Sequence, residues 1–333
     1  MKLPGLSPRI HSLPKAELHL HLEGSIQPTT ARTLMARHGL KASEQEVLER
    51  YRFHDFRGFL EAFKWVTSFL REPPDYALVA TDLAERLLEQ NVVYVEATLS
   101  VGVMLLRKQK AEANFEALLR ATEPFERRGL RFRWVFDAVR QFGAQTAMEV
   151  LEAAKTCNSK RIVAFGIGGD ELQVPTAAFR PVYERAAELG LHRLIHAGEV
   201  GGPEKIREAI ELLEVERIGH GIAAIKDPVL MDLLAERKFP LEICPQSNLR
   251  TGALAHLLAR EGVRIEDHPL PGLLRHGIPV VLSTDDPALF HTTLPGEYDA
   301  AKQMGLEESE LEQICEMGFR YAFDPAASQR QTT

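Results

Sequence analysis

Histidines and carboxylates stand at the ends of four strand-like apolar runs that lie far apart in the chain. They are His19-Leu20-His21, His196-Ala197-Gly198-Glu199, Gly219-His220-Gly221 and Thr284-Asp285-Asp286-Pro287. Residues i and i+2 of a strand face the same way, so His19 and His21 can hold one metal ion from one side. His196 offers a third imidazole, and Asp285 offers a carboxylate. That donor set suits one Zn2+ per chain, with Fe2+, Co2+ or Mn2+ as alternatives. Taken singly, each segment has an ordinary explanation: a hydrogen-bonded core histidine, or a turn or helix cap at the Asp pair. Their recurrence at strand ends favours a site.

A metal there would lower the pKa of a bound water from ~15.7 to ~7. At 1.36 kcal/mol per unit, that is on the order of 12 kcal/mol of bias toward the nucleophile. No Gly-x-Ser-x-Gly elbow and no cysteine in a catalytic context competes with it. Glu199 follows His196 by three residues and suits a proton shuttle. To donate near neutral pH its pKa must rise from ~4.3 toward ~7, about 3 to 4 kcal/mol of desolvation or like-charge pressure. Asp285 is one source of that pressure; the other reading of Glu199 is a solvated loop residue. The glycines around His220 let the backbone approach a ligand. Its imidazole either orients an attacking water or bonds to a barrel-rim carbonyl.

No local fold brings these residues together, but a barrel of parallel strands gathers all its C-terminal strand ends on one face, where such barrels do chemistry. Strand-length apolar runs recur at Ala16–Leu22, Val92–Leu99, Arg131–Val139, Ile162–Ile167, His192–His196, Arg217–Ile222, Leu241–Cys244 and Val280–Ser283. Helical spacing marks Tyr76–Gln90, Phe179–Leu189 and Pro203–Leu213. Strand then helix, repeated, predicts a single α/β domain over 1–333, a TIM-like (β/α)8 barrel. The first gap is too long for one crossover helix. Within it, residues 29–74 carry Tyr51, Phe53, Phe56, Phe59, Phe63, Trp65 and Phe69. They predict a helical insertion after the first strand, either over the catalytic face as a lid or packed on the barrel side. The small, polar tail Ala326–Thr333 predicts a frayed end.

Composition narrows the function. A net charge of -7 gives no basic footprint for nucleic acid. Three scattered cysteines make neither a disulfide framework nor a cysteine zinc site, and they suit a reducing cytoplasm. No apolar run is long enough to span a membrane, and Met1–Leu13 has no secretory core. The expected partner is therefore a small molecule. Nothing in the sequence sets an oligomeric state.

Across nearly its whole length, the chain resembles the adenosine deaminase family of metal-dependent hydrolases. The resemblance rests on Pro14-Lys15-Ala16-Glu17-Leu18-His19-Leu20-His21-Leu22-Glu23-Gly24-Ser25, Gly168-Gly169-Asp170-Glu171, His196-Ala197-Gly198-Glu199, Arg217-Ile218-Gly219-His220-Gly221, Cys244-Pro245-Gln246-Ser247-Asn248 and Ser283-Thr284-Asp285-Asp286-Pro287, all in register. It implies a (β/α)8 barrel with one catalytic Zn2+ on His19, His21, His196 and Asp285. Glu199 would protonate the purine N1, and His220 would assist the attacking water. Asp286 would bond N7, and the Gly169 backbone N–H would donate to N3. The implied reaction is hydrolytic deamination of a 6-aminopurine nucleoside.

One position departs from the family pattern. Adenosine-specific members usually carry Asp where this chain has Glu23, and that Asp bonds the ribose 5′-hydroxyl. Glu there resembles members acting on adenine or on 5′-altered nucleosides, while Gly168-Gly169-Asp170-Glu171 is more like the nucleoside enzymes. The run Tyr94–Ser100, with Arg107-Lys108 after it, is similar to members that deaminate 6-amino-6-deoxyfutalosine in menaquinone synthesis. Arg107, Lys108 or Arg140 could pair with that substrate's carboxylate; the plainer reading of Arg107-Lys108 is a solvated helix start. The competing functions are deamination of free adenine, action on another amide or imine, and nucleoside binding by an inactive member.

Overall fold

The computed structural model describes residues 5–330; the parts of the 1–333 span and of the expected frayed tail at 1–4 and 331–333 lie outside the described residues. Eight strands form one parallel sheet in sequence order. They are β1 (Lys15–His21), β2 (Val92–Leu99), β3 (Arg131–Val139), β4 (Ile162–Gly168), β5 (His192–Ala197), β6 (Arg217–His220), β7 (Leu241–Ile243) and β8 (Val280–Leu282). The last meets the first just beyond β8. There Asp285 N–H donates to the His19 carbonyl at 2.9 Å, and His21 N–H donates to the Asp285 carbonyl at 2.8 Å. With helices between the strands, this is a TIM-like (β/α)8 barrel.

Strand alternation sorts the side chains. On alternate positions of β3, β4 and β5, Val135, Ala164 and Leu194 form a small buried cluster, and Phe323 packs against it from below. Beside Phe323 lies the buried guanidinium of Arg217, 3.6 Å from the ring centroid. Arg217 bridges Glu96 and Glu242 at 2.5 Å each. A buried cation between two carboxylates is tolerated because its donors are used and its charge is matched.

Between β1 and β2 run the helices Pro28–Arg37, Glu44–Arg50, Phe56–Thr67 and Pro73–Glu89. Asp55 caps the third, its side chain accepting the Gly58 N–H. Tyr51 ties the segment to the barrel rim by donating to the Ile26 carbonyl at 2.6 Å. Phe59 stacks on Phe290, from the loop after β8, with centroids 5.0 Å apart. The helix Phe56–Thr67 thereby stands over the C-terminal ends of the strands.

Several boundaries differ from expectation. β6 stops at His220, not Ile222, because His220 (φ 63°) and Gly221 (φ 69°) turn left-handed. The helix expected over Tyr76–Gln90 starts at Pro73, which suits a first helical turn. The stretch Phe179–Leu189 divides into a 3-10 turn (Thr176–Phe179) and a helix (Arg180–Glu188). Arg107 caps the end of a helix (Val101–Leu106) and does not start one. Pro325–Arg330 forms a 3-10 helix where a frayed tail was expected. Among the described residues, no helix is long and apolar enough to cross a membrane.

Candidate active site

The barrel brings His19 and His21 of β1, His196 of β5, His220 of β6 and Asp285 beyond β8 to one buried centre. Ring centroids lie 4.6 Å apart for His19 and His196, 5.5 Å for His21 and His196, and 5.1 Å for His196 and His220. Asp285 Oδ1 is 3.6 Å from His19 Nε2 and 3.3 Å from His21 Nε2. Gly219 makes this convergence possible: a Cβ there would stand 2.7 Å from His19 Cε1 and 3.1 Å from His196 Cδ2.

The centre fits a cation. His19, His21 and Asp285 offer ligand atoms within 4.8 Å of one another, as do His19, His196 and His220. The Nε2 atoms of His19 and His220 are buried without a hydrogen-bond partner, which is costly unless something fills the gap. Burial drives His21 down to about 4 and His196 well below the usual histidine range, leaving neutral imidazoles with free lone pairs. Burial also opposes charge on His19, but the nearby carboxylates of Asp285 and Glu242 outweigh it and raise its pKa to about 10. On that ring a proton and a metal compete for Nε2. Glu242 Oε2 sits 2.8 Å from His19 Nδ1, which turns Nε2 toward the centre. Burial disfavours ionised Asp285, yet the nearby imidazoles of His19, His220 and His21 hold it well below the carboxylate range. Ser247 Oγ donates to Asp285 Oδ2 at 2.7 Å.

His220 finds Asn248, not a rim carbonyl: Asn248 Nδ2 is 3.0 Å from His220 Nδ1. The free His220 Nε2 lies 3.6 Å from Glu199 Oε2 and 3.8 Å from Asp285 Oδ2. Glu199 is buried, not solvated. Desolvation raises its pKa well above the usual value, and the charges of Asp285 and Glu171 add to the shift. Glu171 clamps this loop by accepting the N–H groups of Gly198, Glu199 and Val200 at 2.7, 2.8 and 3.1 Å.

The remaining expected residues surround this centre. Asp286 is pushed well above the carboxylate range by burial and by Asp285, and its Oδ1 is unpartnered. Gly24 gives it room, since a Cβ there would fall 1.7 Å from Asp286 Oδ1. Gly169 has φ 99°, and its flank is closed by Gln141, whose Oε1 would lie 2.4 Å from a Cβ. Glu23 Oε1 accepts the Ser100 N–H at 2.9 Å, while Oε2 has no partner; burial raises Glu23 to about 7.

A cavity of about 450 Å³ opens over the centre. His21, His196, His220, Glu199, Asp285 and Asp286 line its base, and Ser100, Asp137, Gly168 and Gly169 its wall. Phe56, Phe59, Phe63, Leu106 and Arg107 form the mouth. Of the three expected cations, only Arg107 reaches the cavity, where its guanidinium donates to the Thr67 carbonyl and, at 2.9 Å, to Thr67 Oγ1. Arg140 is buried elsewhere, donating to the Val174 carbonyl at 3.1 Å beside the Phe179 ring. Lys108 is exposed beyond the helix end. Asp137 and Glu242 are not among the expected site residues, and Glu171, Ser247 and Asn248 stand in the quoted motifs without a role. Asp137 and Glu242 carried a signal: each is an acid inside an apolar strand.

Imidazoles and carboxylates converging at the C-terminal mouth of a parallel barrel define a metal-dependent hydrolase. The adenosine deaminase family profile matches residues 14–333. The chain is 35% identical over 321 residues to an aminodeoxyfutalosine deaminase of Streptomyces coelicolor, covering 94% of this chain and 81% of that one. It is 36% identical over 316 residues to an adenine deaminase of the same organism, covering 93% and 90%. The solved structure of an adenine deaminase from Arthrobacter aurescens superposes with a TM-score of 0.87 at 29% identity, covering 95% of this chain and 96% of that one. The chain belongs to the adenosine deaminase family and is a metal-dependent hydrolytic deaminase.

Proposed function

We propose that the chain hydrolyses the 6-amino group of a purine nucleoside, giving the 6-oxo product and ammonia, with one Zn2+ held by His19, His21, His196 and Asp285. Three imidazoles and a carboxylate are a zinc donor set. The observation that carries the nucleoside reading is the lining of the cavity: beside the imidazole centre it takes in Ser100, Asp137, an apolar stretch of Phe56, Phe59 and Phe63, and Arg107, groups that a substituent on the base would meet. A 5′-extended substrate bearing a carboxylate, as in 6-amino-6-deoxyfutalosine, would place its aryl group against Phe59 and Phe63 and its charge at Arg107.

When bound, the ion lowers the pKa of water at the centre and so supplies the nucleophile. The protein's residues do the rest. Glu199, kept protonated by burial, gives its proton to N1 and draws electron density from C6. His220 presents Nε2 to the attacking water, with Asn248 fixing the ring from the other side. Asp286, also held neutral, donates to N7. The Gly169 N–H donates to N3, and Glu23 reaches the 5′ side of the sugar. Water adds at C6; one of its protons returns to Glu199 and the other passes to the amino group, so that the C6–N bond breaks, the C6=O bond forms and ammonia leaves. The free thiols Cys157, Cys244 and Cys315 suit a cytoplasmic setting.

Similarity to the adenine deaminases favours a second reading, the free base as substrate. Ammonia release on adenine, adenosine, 5′-methylthioadenosine and 6-amino-6-deoxyfutalosine, measured side by side, separates the two. The expected order puts a nucleoside first; adenine as the best substrate discards the nucleoside reading and leaves the deamination chemistry standing.

A further inference from the structure

We propose that Asp137 binds a sugar hydroxyl of the substrate from the end of β3. The proposal rests on the nucleoside reading and adds a residue that decides between sugars.

Asp137 sits in the strand Val135-Phe136-Asp137-Ala138-Val139, two residues above Val135, which packs in the barrel interior. It is 4% exposed and lines the cavity. Its partner across the sheet is Gly166, and Gly168 follows on the same face of β4. Neither supplies a side chain. A Cβ at Gly166 would stand 3.4 Å from Asp137 Oδ1, and one at Gly168 would stand 3.7 Å from it and 3.5 Å from His196 Nε2. The two glycines leave a slot in the wall, with the carboxyl group at its side.

Nothing in the fold explains an acid there. Among the described residues no cation pairs with Asp137 and no side chain hydrogen-bonds it; the Gly168 backbone N–H is its partner. A buried carboxyl with a single backbone donor and no paired charge is unfavourable for folding, so a ligand that uses it is the simpler account. Burial, then the nearby charge of Glu23, pushes its pKa well above the carboxylate range. A neutral acid can both donate to a hydroxyl and accept from one.

The strand order assigns the ligand group. In the proposed pose Glu199, after β5, faces N1; Gly169, after β4, faces N3; and Asp286, after β8, faces N7. Around a purine, N1 and N3 are followed by N9 and then N7. Around the barrel, β5 and β4 are followed by β3, β2, β1 and β8. The ends of β3 and β2 therefore face the substituent on N9. Asp137 and Ser100 are the polar groups there, and Glu23 lies beside them.

The test compares kcat/KM for adenosine, 2′-deoxyadenosine and 3′-deoxyadenosine in the metal-loaded wild type, Asp137→Asn and Asp137→Ala. A site built around a hydroxyl rejects the analogue lacking it, so one deoxynucleoside should fall at least about tenfold below adenosine in the wild type. In Asp137→Ala that gap should close to within roughly twofold, with metal content unchanged. A merely structural role would lower all three substrates together and keep the ratio. Equal wild-type rates on the three substrates overturn the assignment without any variant, as does an unchanged ratio in variants that fold and keep their metal. Turnover of adenine with no nucleoside turned over would instead remove the nucleoside reading beneath it.

Discussion

The carboxylate of Glu171 holds the backbone of Glu199: Oε1 accepts the Glu199 N–H at 2.8 Å, while Oε2 takes the Gly198 N–H at 2.7 Å. One acid therefore fixes the loop that carries the other. Glu171→Ala should lower kcat about 10- to 100-fold while the protein keeps its metal. Steady-state kinetics with metal analysis on the same sample tests this; metal lost in step with activity would place Glu171 in the ion site.

Glu199→Gln keeps the shape and removes the proton. It should cost about 10²- to 10⁴-fold in kcat with metal retained. Because burial raises the Glu199 pKa, the active protonated form persists at neutral pH and is lost as pH climbs through that pKa. The kcat/KM profile should therefore fall on its alkaline side. A rate that keeps increasing into alkaline solution would refute the donor role.

Glu242 sets the tautomer of His19 from the far side of the ring. Glu242→Gln should weaken metal affinity about 10- to 100-fold, read by competition with a chromophoric chelator. Stripping the ion from the wild type should abolish turnover, and added Zn2+ should restore it. Turnover that survives complete removal of metal would contradict the metal-dependent mechanism.

Burial raises Glu17 and Glu297 to about 8. In an unfolded chain the same groups titrate near ~4.3. Between those values folding takes up protons, so their contribution to stability falls as pH rises from ~4.3 to about 8 and is flat above. Glu17→Gln mimics the neutral acid and should flatten that slope in metal-free protein. Thermal melts between about pH 5 and 8 check it; parallel slopes for wild type and variant would show that Glu17 is ionised in the fold.

Much of the barrel was legible because buried parallel strands are nearly continuous apolar runs. Val92–Leu99 and Arg131–Val139 were read with their final bounds, as was the helix Pro203–Leu213. β6 was overrun because Gly221 and Ile222 look strand-like, while the left-handed turn at His220 comes from tertiary placement. The converging histidines were visible through their positions at strand ends. Asp137 and Glu242 stand out in the sequence as acids inside apolar strands, but what each one serves is set by neighbours that only the fold brings to it. Arg140 has the right charge, but the fold aims it at Val174.

Phe323 seals the base of the barrel against Val135 and Arg217. The chamber is therefore a dead end with its doorway among Phe56, Phe59 and Phe63. Arriving substrate and departing purine share that corridor, so each molecule must clear it before the next can follow.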